Sequence, residues 1–88
     1  LGYRPMTNSP TKLFVTGNEH TAKDLRRALG PEWHVVSYGG SLMGRRFDTV
    51  LFQWPERGTS EMARVHIQSY LHDHVRPKLS PTGVLMLI

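Results

Sequence analysis

Val84-Leu85-Met86-Leu87-Ile88 is an unbroken run of large apolar side chains, reached through Leu79-Ser80-Pro81-Thr82-Gly83, which reads as a turn. A half-exposed strand alternates apolar and polar residues, whereas a strand covered on both faces does not. The run therefore predicts a strand buried on both sides. Leu13-Phe14-Val15 and Val50-Leu51-Phe52 are continuous in the same way, and together the three segments point to the sheet of an α/β fold.

Lys12-Leu13-Phe14-Val15-Thr16 is the first expected strand, closed by Gly17-Asn18. Thr21, with Asp24 three positions on, has the spacing of a helix N-cap with an acidic residue in the first turn. Ala22, Leu25, Ala28 and Leu29 then recur at helical spacing until Gly30-Pro31 stops the helix. Residues 33–38 and 49–54 are the next strands, separated by Gly39-Gly40-Ser41-Leu42-Met43-Gly44-Arg45-Arg46. A second helix over residues 60–76 places Ala63, Ile67, Tyr70, Leu71 and His74 on one face and ends before Pro77. Residues 1–11 hold Gly2, Pro5 and Pro10 with little apolar periodicity and read as a flexible arm, leaving residues 12–88 as a single small α/β domain.

The order β-α-β-β-α-β suits two architectures. If the glycine-rich segment crosses the sheet, the strands are parallel in the order 2-1-3-4, a minimal Rossmann-like fold with helices on opposite faces. If it closes a hairpin, the result is a ferredoxin-like sandwich with both helices on one face. The continuous apolar strands favour the parallel sheet, because a sandwich with one wet face alternates. The short link between strands two and three argues the other way, since crossovers usually take about a dozen residues or more.

The chain has 88 residues, 11 Lys and Arg against 7 Asp and Glu, and no cysteine. One domain of this size keeps much of its surface exposed and gains from sharing a core with another subunit. Its net charge of +4 favours polyanions only in general terms, because the basic residues are scattered. The absence of cysteine excludes disulfides, thiol catalysis and cysteine metal sites, and it fits a cytoplasmic protein. No apolar stretch approaches the roughly 20 residues of a membrane-spanning helix.

From Phe47 onward, Phe47-Asp48-Thr49-Val50-Leu51-Phe52, the following helix and Leu79-Ser80-Pro81-Thr82-Gly83-Val84-Leu85-Met86-Leu87-Ile88 resemble the second half of a Rossmann-like class I methyltransferase. The resemblance covers about half the chain and implies a shared scaffold. The family's glycine-rich cofactor loop is reduced here to Gly17-Asn18-Glu19-His20-Thr21. The acid expected after strand two is replaced by Ser37-Tyr38-Gly39, and the Asn/Asp-Pro-Pro-Tyr signature by Gln53-Trp54-Pro55-Glu56. Nothing in the chain matches a P-loop either.

In the parallel arrangement the crevice at the topological switch point is lined by Gly17, Asn18, Glu19, Thr21 and Trp54, joined by His20, Gln53 and Glu56. A nucleotide-type ligand is the expected occupant, although Gly17-Asn18 also serves as a turn and Thr21 as a cap. Arg45, Arg46 and Arg57, with Arg4, form an anion or nucleic-acid patch if their loops converge. His66, His72 and His74 with Asp73 are poor metal ligands, because His72 and His74 point about 160° apart on a helix. Leu42 and Met43 either tuck over the sheet or, with Leu85 and Leu87, offer an apolar interface. No catalytic constellation is recognisable and no cofactor is called for. The expected role is a non-enzymatic accessory module that self-associates or docks a partner protein, with nucleotide-type or nucleic-acid binding as alternatives.

Overall fold

The computed structural model describes residues 11–42 and 44–88. Most of the expected flexible arm, with Arg4, and the apolar Met43 lie outside those residues. Thr11 is tied to the sheet: its amide donates to the Glu32 carbonyl at 3.2 Å, and its carbonyl accepts from the Asp48 amide at 2.9 Å.

Four parallel strands form one sheet in the order β2-β1-β3-β4, where β1 is Lys12–Thr16, β2 Trp33–Ser37, β3 Phe47–Phe52 and β4 Leu79–Leu87. The Rossmann-like order is thus the one adopted, and the ferredoxin-like alternative is not. Helix α1, Glu19–Ala28, follows β1, and α2, Glu61–Tyr70, follows β3. The register sets Leu13 beside Val50 and Val15 beside both Val36 and Phe52. All five are buried with Ile67, Tyr70, Leu71 and Val75 from the α2 side, so this face carries the main core. Each fully buried Leu, Val or Phe contributes about 1.5–3 kcal/mol of transfer free energy. Val35 points the opposite way and is buried outside that cluster, as is Ala22 of α1. The two helices therefore cover opposite faces, and α1 lies mainly over β2 and β1.

The glycine-rich segment does cross the sheet, without a helix. It has only to step over β1, and its turns are tight because Gly39 and Gly44 take positive φ of 86° and 63°, a region costly for residues with a Cβ. Gly40 admits no side chain at all, since a Cβ would lie 2.8 Å from that of Val36. Leu42, 6% exposed, pins the segment into the core. Leu42 accordingly takes the tucked alternative and is not available to an interface.

Three boundaries differ from expectation. The N-cap of α1 is Asn18, whose side chain accepts from the Thr21 amide at 2.8 Å, and Thr21 lies inside the helix. Beyond Tyr70 the second helix loosens into a π-helical turn over Leu71–Val75 and a 3-10 turn over Arg76–Lys78, as Pro77 lacks the N–H that a regular helix needs. Strand β4 begins at Leu79, and what reads as a turn is a large bulge: Phe47 pairs with Leu79, and Thr49 already pairs with Val84. Gly83 fits the bulge because a Cβ there would sit 2.8 Å from the Leu79 side chain and 3.1 Å from the Asp48 carbonyl.

Candidate functional site

Two features stand out, one at the carboxyl ends of the strands and one along the side of the sheet. The first is a crevice of about 390 Å³ lined by Gly17, Asn18, Thr21, Tyr38, Gln53, Trp54, Pro55, Glu56, Thr59 and Ile67. It lies at the switch point between β1 and β3, where parallel α/β sheets bind ligands. Four of the five expected crevice residues, Gly17, Asn18, Thr21 and Trp54, line it. Glu19 turns away: its carboxylate pairs with Arg26 at 2.8 Å and accepts from the Ser37 hydroxyl at 3.3 Å. The Arg26 guanidinium holds that carboxyl below its ordinary pKa.

The crevice is built on Gln53. Its Oε1 accepts from the Thr16 hydroxyl at 2.5 Å and from the Gly17 amide at 3.0 Å, while its backbone carbonyl accepts from the Tyr38 hydroxyl. One residue thus joins the end of β3 to the ends of β1 and β2. The Gly17 amide is consumed by this clamp, and the Thr21 amide by the Asn18 cap, so the donors left at the start of α1 are those of Glu19 and His20. Burial, then the nearby Glu56 carboxylate, push the Tyr38 phenol above its ordinary pKa, keeping it a donor. Arg64 closes the far wall by donating to the carbonyls of Glu56 at 2.9 Å, Arg57 at 3.3 Å and Thr59 at 3.3 Å. Glu56 is the one charged side chain among the lining residues. The Gln53 clamp escapes sequence reasoning because its partners Thr16 and Gly17 are distant in the chain, and the Arg64 brace because the loop carbonyls it holds, though near in sequence, leave no mark on the side-chain pattern; the polar Thr16 and Gln53 ending apolar strands are the clue to the first.

The anion patch does not assemble. Arg45 and Arg46 precede β3 and Arg57 follows it, so a six-residue strand of about 20 Å separates them. The described residues hold no group of three His, Cys, Asp or Glu able to bind a metal ion. A shallow groove between the glycine-rich segment and the π-helical turn brings Asp73, His74 and Lys78 near Tyr70, whose hydroxyl donates to the Gly40 carbonyl at 2.8 Å.

The second feature is β4. It forms one edge of the sheet, and no described strand pairs with its outer side. The expectation of burial on both faces fails here: Val84, Met86, Leu87 and Ile88 are 54%, 49%, 54% and 54% exposed. Val84, Met86 and Ile88 project from the sheet face opposite the Leu85 side and stay about half exposed there. Leu85 faces the other way and packs, half-buried, on the core, so of the expected interface leucines Leu87 is the one that is open.

The two sheet edges are unlike in their backbone. The Ile88 amide donates to the Phe52 carbonyl at 2.9 Å, and the Ile88 carbonyl accepts from the Trp54 amide at 2.8 Å. Backbone groups of a strand alternate between its two sides, so those of Leu85 and Leu87 point outward. On β2 half of the outward groups are engaged: Gly30 accepts from the Trp33 amide, Arg26 donates to the Val35 carbonyl, and Gly40 donates to the Ser37 carbonyl. One edge is partly blunted, and the other is open among the described residues.

Among the described residues no helix is long and apolar enough to cross a membrane. The chain matches no family model, no curated protein and no solved structure.

Proposed function

We propose that this chain is a non-enzymatic association module that binds another polypeptide along β4. The observation that carries this reading is the open edge, where Val84, Met86, Leu87 and Ile88 lie exposed beside backbone groups that no described strand pairs. A bare apolar edge is a liability that proteins ordinarily cover or pair, and adding a strand is a common mode of peptide recognition. We place the module in the cytoplasm, a reading supported by a sequence without cysteine.

Photo-crosslinking in cells tests the surface. With a photoreactive amino acid replacing Met86, discrete crosslinked protein species are expected; with the same group replacing Lys23, exposed on α1, they are not. No adduct at position 86, or equal labelling at both positions, overturns the reading.

A second reading is favoured by the crevice, whose position at the switch point and aromatic walls of Tyr38 and Trp54 suit a small ligand of nucleotide type. Ligand at 100 times its dissociation constant adds about 2.7 kcal/mol of stability. Thermal-shift titration with nucleotides and S-adenosyl compounds should therefore raise Tm, and no shift with any of them removes this reading.

A further inference from the structure

We infer that the occupant of the β4 edge is a second copy of this chain, paired antiparallel about a two-fold axis passing beside Met86, so that two four-stranded sheets become one. This rests on the association reading above and names its partner. A two-fold axis perpendicular to a sheet reverses strand direction, and antiparallel pairing follows from the symmetry.

Charge selects the partner. The chain carries a net charge of +4, so a second copy is repelled at most of its surface, yet residues 79–88 contain no charged side chain. This neutral strip is where two copies meet without like charges opposed. It also offers no charge for a strongly acidic or basic partner to recognise.

The backbone then sets the register. Outward-facing groups belong to Leu85 and Leu87, and in an antiparallel ladder opposed residues with outward groups exchange two hydrogen bonds. With Met86 on the axis, Leu85 opposes Leu87 of the second copy, and the symmetric pair repeats the contact. Val84 opposes Ile88 of the second copy, and Met86 opposes its own counterpart. Every opposed pair is apolar, and the exposed Val84, Met86 and Ile88 of both copies form one strip on the face that α1 leaves bare. Centring the axis on Leu85 instead sets Leu87 against Gly83 and Ile88 against Thr82, which wastes two of the largest side chains.

The natural absence of cysteine makes the register directly testable. Residues opposed without mutual hydrogen bonds have Cα atoms about 4.5 Å apart, within reach of a disulfide. The purified full chain should sediment at twice its 10.0 kDa mass at high concentration. Met86→Cys should form a covalent dimer on oxidation, at least tenfold faster than Val84→Cys, whose counterpart is not itself. Val84→Cys combined with Ile88→Cys should restore linking, and Met86→Lys should yield a folded monomer with unchanged circular dichroism. A chain that sediments as a monomer at every concentration, or single cysteines at 84 and 86 that link equally fast, overturns the inference. If such a monomer still crosslinks to a different protein in cells through position 86, the second copy is refuted and the association reading stands.

Discussion

Gln53 joins three strand ends, reaching β1 with its side chain and β2 with its backbone carbonyl, and loss of that side chain should be felt in stability before it is felt in shape. Thr16 is 1% exposed and its hydroxyl donates to Gln53 Oε1, so Gln53→Leu strands that buried donor, while the exposed Gly17 amide can turn to water. Such an orphaned group costs about 1–3 kcal/mol. Chemical denaturation should show a loss in that range, with the thermal transition still cooperative. Tyr70 supplies a pH signature. Burial pushes its phenol up to about 12 from an ordinary 10, so the folded state holds the proton that the unfolded state releases. The stability this contributes is complete below pH 10 and is lost as pH rises toward 12. Unfolding measured across that window should show the decline, and Tyr70→Phe should flatten it at the expense of the hydrogen bond to Gly40. Neither role can be read from the sequence, where Gln53 is a polar residue after an apolar run and Tyr70 one member of a helical stripe. Their partners lie 36 or 37 and 30 positions away, distances at which periodicity carries no information.

Among the elements, β1 is legible to the residue, because Lys12 opens and Thr16-Gly17 closes the apolar run Leu13-Phe14-Val15. The start of α1 is ambiguous, since Asn18 and Thr21 are both capping residues and both are followed three positions later by a residue able to complete the turn. Tertiary structure decides between them: β1 ends at Thr16, and the chain must reverse at once to bring Ala22 onto the sheet. The two are separable by experiment. Asn18→Ala should cost about 1 kcal/mol, as loss of an N-cap does, whereas Thr21→Ala should change stability by a few tenths in either direction, since Ala is the better helix former. Equal losses, measured by thermal unfolding, would place the cap elsewhere. For β4 the sequence is misleading for a different reason. An unbroken apolar run shows that neither face demands water, but it holds no information on whether anything covers those faces. The continuity that predicts a doubly buried strand is equally the mark of one that has yet to be covered.

For the whole molecule, the strand order was legible because handedness leaves few ways to connect β-α-β units, and the crevice followed from that order as a topological consequence. What remained hidden was the asymmetry of the edges, made by Arg26, Gly30 and Gly40 reaching back to β2 from separate parts of the chain. Pairing through β4 links folding to assembly by mass action. The Tm of the native chain should therefore rise with protein concentration, by about 4–8 °C for each kcal/mol gained by a domain of this size. Met86→Lys should melt at a temperature independent of concentration, and scanning calorimetry over a hundredfold dilution series distinguishes the two. The blunted β2 edge has a consequence of its own. A sheet with two open sides can recruit copies without limit and grow into fibres, as head-to-tail contacts do when they fail to close. Here Arg26, Gly30 and Gly40 already occupy half of the outward backbone groups of β2, so a newcomer gains less on that side than on β4, and growth beyond a single addition is disfavoured.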